Sequence, residues 1–144
     1  MNSGMNVRVA KVLAPISLSG GATATTTEVD TVNVGVKYNQ ATVYIMSGLV
    51  GANGVSTLKV QEGDTSGGSY TDITGASFTA LADADDNIIV ACDIDLRKRK
   101  RYLNVVITNG ATNASVMCAW CELTRAEETP SSKTQRGVQE LLQV

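Results

Sequence analysis

The sequence predicts an all-β protein, an antiparallel β-sandwich, on three observations. Short runs rich in Val, Ile and Thr recur roughly every ten residues, the composition and spacing of strands. Turn-forming clusters separate them, among them Gly20-Gly21, Gly51-Ala52-Asn53-Gly54, Ser66-Gly67-Gly68-Ser69, Asp85-Asp86-Asn87 and Asn109-Gly110. No segment before residue 125 sustains the i, i+3, i+4 apolar spacing of an amphipathic helix.

The elements follow in order. From Asn6 to Leu13, Val7, Val9, Val12 and Leu13 suggest a strand whose alternation slips near its end. Gly20 to Thr27, a Thr/Ala/Gly stretch, reads as a surface loop. Val32, Val34, Val36 and Tyr38 alternate with polar or small residues, so 32–38 is expected to be one half-buried strand. Ala41 to Val50 is apolar on both faces, Val43 and Ile45 on one and Tyr44 and Met46 on the other, as a central strand would be. Ser56 to Glu62 sets Leu58 and Val60 against Thr57, Lys59 and Gln61, and the short glycine-rich link before it suggests a hairpin. Asn87 to Leu96 is the clearest two-faced strand, with Ile88, Val90, Cys92, Ile94 and Leu96 opposite Ile89, Ala91, Asp93 and Asp95. Tyr102 to Thr108 and Ser115 to Thr124 complete the set, with residues 109–113 a hairpin link by composition.

At 144 residues the chain fits one core. It divides into an N-terminal strand or arm and loop (1–28), a sandwich core (29–125) and a C-terminal linker with a short arm (126–144). In that arm Val138, Leu141, Leu142 and Val144 fall at spacings that one side of a short helix could present. Such an arm either docks in a neighbour's groove or frays.

Hydrophobic residues are 43% of the chain and aromatics only 4%, so the interior is filled by Val, Ile, Leu and Ala. With no histidine, the chain cannot build Ser-His-Asp or Cys-His machinery, an HExxH zinc site or a histidine base, which makes binding and structural roles the expectation over an enzyme. A net charge of -2 argues against a globally basic nucleic-acid binder. Apolar runs fall far short of the ~20 residues of a membrane span, and Arg8 and Lys11 interrupt the apolar start where a secretory signal would need continuity. Three cysteines are too few and too odd a number for a secreted disulfide framework, so synthesis in a reducing cytoplasm is expected.

Four constellations invite chemistry. Cys118-Ala119-Trp120-Cys121 has the C-x-x-C spacing of dithiols and zinc knuckles, but on a strand residues three apart face opposite ways, which points to free thiols acting as small hydrophobes. Arg97-Lys98-Arg99-Lys100-Arg101 is a run of five cations without interleaved aromatics, and alternation would send Arg97, Arg99 and Arg101 to one face. Asp83, Asp85, Asp86, Asp93 and Asp95 lie just upstream, so neutralisation within or between subunits competes with a nucleic-acid role. Asp83 to Asn87 lacks the loop glycine and final glutamate of an EF-hand, leaving only an irregular cation site between loops. Gly63 to Gly68 lacks the Gly-Lys-Ser/Thr ending of a phosphate loop and is better taken as a strand connection.

Leu58-Lys59-Val60-Gln61-Glu62-Gly63-Asp64 followed by Ser69-Tyr70-Thr71-Asp72-Ile73-Thr74-Gly75 resembles a pattern found in small structural proteins of tailed bacteriophages. Asp93 to Val105, with its Arg101-Tyr102-Leu103 strand start, and the ending Glu122-Leu123-Thr124-Arg125-Ala126-Glu127 are similar to segments that follow in them. The likeness covers roughly residues 41–127 and departs from the pattern in the extension past Glu127. It implies a capsid decoration, or cement, protein: a small jelly-roll-like sandwich that binds the major capsid protein on the outside of the head, commonly as a trimer, without cofactor or metal. It implies localisation on the virion capsid surface after synthesis in the host cytoplasm. The interface candidates are Arg97, Arg99 and Arg101 with Val138, Leu141 and Leu142. A tail-tube, adaptor or head-fibre component is the neighbouring alternative. A carbohydrate- or surface-binding module would instead need Trp120 on an outer face with tyrosine neighbours.

Overall fold

The computed structural model describes residues 7–127, 134, 135 and 137–139. Two antiparallel sheets face each other across one core. In the first, β1 (Arg8–Leu18) pairs with β9 (Ser115–Ala126), β9 with β4 (Val36–Ser47), and β4 with both β3 (Val32–Asn33) and β7 (Ile89–Asp95). The second runs β2 (Val29–Asp30), β8 (Tyr102–Asn109), β5 (Val55–Gly63), β6 (Thr71–Ser77). A 3-10 turn, Leu96–Lys98, follows β7.

The core is made by the inward set of each strand. Val12, Leu13 and Leu18 come from β1, Tyr38, Val43 and Ile45 from β4, and Met117, Cys121 and Leu123 from β9. Leu58 and Val60 of β5 and Leu103, Val105 and Ile107 of β8 fill the opposite layer. Burying each of these aliphatic side chains contributes about 1.5–3 kcal/mol. β1 therefore belongs to the sandwich rather than to an arm: it pairs with β9 from Arg8 to Leu18, beyond the slip in its alternation and past Pro15.

Three sequence-based expectations need correction. Residues 32–38 are not one strand but a tight hairpin, with Val34 at φ 50 and Gly35 at φ 76 in the turn. Val34 is consequently 57% exposed, although its place in the alternation suggested burial. Nor are β4–β5 and β8–β9 hairpins, because each connection crosses from one sheet to the other. Turn chemistry at Asn53-Gly54 (φ 73 and 60) sets a sharp reversal but leaves open whether the returning strand pairs or crosses. Crossing wins because both strands then direct their apolar sets, Val43 and Ile45 against Leu58 and Val60, into the same interior from opposite layers. The short strand β2 and the mostly exposed β6 lacked a readable alternation, since only Ile73 and Ala76 of β6 are buried.

Candidate functional site

The two-faced strands place a second, outward apolar set on the first sheet. Registers align it in rows: Ile89 of β7 beside Met46 of β4 beside Cys118 of β9, then Ala91, Tyr44, Trp120 and Lys11 of β1. A third row of Asp93, Thr42, Glu122 and Val9 makes the face polar on that side. Tyr44 and Trp120 stack with ring centroids 5.1 Å apart and planes 15° from parallel. Ile89 is 55% exposed, and Val116 of β9, on the same side as Cys118 and Trp120, extends the exposed apolar surface. Scattered exposed apolar residues need no explanation, whereas adjacent ones on one flat face mark a surface suited to contact. Trp120 thus lies outside with a tyrosine neighbour, the arrangement a surface-binding module requires. Each ring already covers one face of the other, and Ala91 and Lys11 flank the pair.

The basic run occupies a corner rather than a strand. Since Leu96–Lys98 is a 3-10 turn, the expected alternation of Arg97, Arg99 and Arg101 onto one face does not hold. Each is engaged within its own chain. Arg97 Nε donates to Asp95 Oδ1 at 2.9 Å, and Arg99 reaches Glu62 at 3.4 Å. Arg101 grips Asp30 through Nε and a terminal nitrogen, at 2.8 and 2.9 Å, and lies 5.2 Å from the Tyr102 ring centroid. Lys100 pairs with Asp64 at 3.0 Å, while its backbone N–H donates to Glu62 at 3.0 Å. The Arg97 guanidinium holds the Asp95 carboxyl well below the usual carboxylate range. These contacts tie β8's start to β2 and β5, so neutralisation inside the subunit accounts for most of the run.

The other motifs resolve into structure. Asp86 Oδ1 accepts the Val50 N–H at 2.7 Å and Asp85 Oδ2 the Ala82 N–H at 2.7 Å, so these aspartates shape their loop. Among the described residues, no group of three or more Cys, Asp or Glu is placed to hold a metal ion. The Gly63–Gly68 connection does cradle an anion, but it is the chain's own Glu28. Ser66 and Tyr70 hydroxyls and the Gly67 N–H (3.0 Å) all donate to that carboxylate, lowering its pKa below 4.5. Cys118 faces out with Trp120 and Cys121 faces in with Met117 and Leu123, as alternation requires. All three thiols are free, and burial pushes Cys121 up to about 12. An open cleft of about 430 Å³ between Gln40, Asp93, Asp95, Arg97 and Arg125 is lined by charges of both signs.

Of the arm residues, Val138 is half-buried, and Leu141 and Leu142 lie outside the described residues. The described part rests on its own domain: Tyr38 Oη donates to the Gln135 C=O at 2.9 Å. Gly137 passes so close to Val9 that a Cβ would sit 1.9 Å from the Val9 carbonyl oxygen. Sequence reasoning placed Tyr44 on a second strand face but not beside Trp120; that juxtaposition depends on the β4–β9 register. No helix among the described residues is long and apolar enough to cross a membrane, which says nothing of strands. Comparisons with protein-family models, with curated proteins and with solved structures find no match for this chain.

Proposed function

We propose that the protein is a non-enzymatic virion component that binds the outer surface of a tailed-phage capsid, contacts the major capsid protein and stabilises the shell. The observation that carries this reading is the outer face of the first sheet. Its apolar rows, bounded by Lys11, Asp93 and Glu122, form a broad surface on a rigid support, which suits protein contact better than enclosure of a small ligand. Strand order supports the jelly-roll form of the sandwich. Of the seven connections linking β1, β2 and β4 to β9 in turn, only β5–β6 stays within one sheet. The phage-like segments also meet in space, since Glu62 of the first holds Arg99 and the Lys100 N–H of the second.

A second reading, a carbohydrate- or surface-binding module, is favoured by one observation, the outward Tyr44–Trp120 pair. Its weight is reduced because stacking covers one face of each ring, and sugar binding needs ring faces free. Co-sedimentation with emptied phage heads lacking the protein tests both. The shell reading expects saturable pelleting that weakens at least about tenfold in Trp120→Ala. A protein that ignores heads overturns it, and Trp120-dependent retention on a polysaccharide column would establish the second.

A further inference from the structure

Open sheets have edges whose free N–H and C=O groups invite another strand, and of the five edge strands β1, β2, β3, β6 and β7, the first four are blunted or very short, β3 being two residues long like β2. β1 contains Pro15, shifts register twice against β9, receives the Thr27 N–H on its Val12 carbonyl at 2.8 Å and is crowded by Gly137 at Val9. β2 is two residues long. β6 breaks register against β5 and carries Gly75 at φ 86. β7 has none of these features. Its seven residues hold an unbroken register with β4, contain no Gly, Pro or Lys, and make no further backbone hydrogen bonds among the described residues.

The phase of the ladder shows which groups are free. Ser47 N–H donates to the Ile88 carbonyl at 2.9 Å, whereas Gly48 N–H donates to the Val116 carbonyl at 2.8 Å. Odd-numbered residues at this end of β4 therefore bond toward β7 and even-numbered ones toward β9. By the register, Val90, Cys92 and Ile94 turn their backbone groups to β4, while Ile89, Ala91, Asp93 and Asp95 turn theirs to the open edge.

We propose that this edge pairs with a second copy of the chain, β7 against β7, antiparallel about a two-fold axis, with Cys92 opposite the partner's Cys92. Charge at the two ends of the strand selects that occupant, and full overlap of the two strands selects the register. β7 is entered from Asp83, Asp85 and Asp86 and left through Arg97 and Lys98, so antiparallel pairing lays each basic exit beside the partner's acidic entry. Lys98 forms no ion pair among the described residues. All seven residues overlap, with Ile89 across from the partner's Asp95 and Ala91 across from the partner's Asp93. A shift that centred the pair on Asp93 would oppose like charges. Because the axis is perpendicular to the sheet, the two outer faces become one continuous face. The contact rests on β7 alone and does not depend on the shell-binding reading.

Cys92 supplies the readout. Across the new edge it forms a non-hydrogen-bonded pair, whose Cα separation of about 4.5 Å lies within the disulfide range of about 4.4–6.8 Å. In a Cys118→Ser background, diamide should take two electrons and two protons from the paired Cys92 thiols and yield a disulfide-linked dimer, absent when Cys92→Ser is added. Light scattering at ~100 µM should give twice the 15.1 kDa chain mass, as suits a small interface. Ala91→Pro removes an N–H that faces the open edge and leaves the β4 ladder intact. It should weaken both signals roughly tenfold or more with an unchanged far-ultraviolet spectrum. Ile89→Lys should do the same without touching the backbone. A monomer at that concentration, or any oligomer, trimer included, that lacks the Cys92 cross-link or ignores both edge variants, overturns the proposal.

Discussion

The inner and outer faces of the first sheet are built from the same strands, yet one is a closed interior and the other an open surface. On β9 the inward residues Met117, Ala119, Cys121 and Leu123 are at most 2% exposed, while Cys118, Trp120 and Glu122 on the other side are only half-buried. The second sheet makes the difference, covering one face and leaving the other bare. Apolar residues on the covered face hold the fold together, and those on the bare face remain available for contact.

Substitutions can break or sharpen that contrast. The largest effect is expected from Leu123→Ala, which opens a cavity at a fully buried site and should cost about 2–5 kcal/mol in chemical denaturation. Trp120→Ala, three residues away on the bare face, forfeits mainly the stack with Tyr44, about 0.5–1.5 kcal/mol. A loss as large as that of Leu123→Ala would show that the outer face is structural. Met46→Lys should leave the thermal midpoint within a few degrees, since surface changes stay within about 0.5 kcal/mol, while weakening head co-sedimentation. Arg101→Ser breaks a two-point ion pair at the exposed corner and should lower stability only slightly, with the difference shrinking at high salt.

The smallest effect concerns pH. Glu28's carboxyl is lowered by its hydroxyl and backbone donors, so its folded pKa lies below the unfolded value. Its contribution is therefore full above about pH 4.5 and is lost as pH falls through the folded pKa. Glu28→Gln should lower stability at pH 7 slightly and leave a shallower decline below pH 4.5, as thermal melts across that range would show. An equal slope in the two proteins would mean that the loop grip on Glu28 does not persist in solution.

Much of the outer face could be read in advance. The alternation of Ile89, Ala91, Asp93 and Asp95, and the placing of Tyr44 and Met46 opposite Val43 and Ile45, follow from the two-residue repeat of a strand. The basic run was legible as charge, but its alternation was not preserved, because Leu96 to Lys98 coil into a turn capped by Asp95. Glu28 drew no attention at all, since an isolated glutamate gains its role only when Ser66, Gly67 and Tyr70 are brought to it from about forty residues away.

By itself, then, the sequence determined the all-β class, most strands and which side chains share a face, because these depend on local geometry and on the need to bury one apolar set per strand. Only the tertiary structure decided that β4–β5 and β8–β9 cross between sheets, that Tyr44 meets Trp120, and that β7 is left as an edge. Those outcomes depend on pairings between residues far apart in the chain, selected by packing the core as a whole, and no local pattern encodes them.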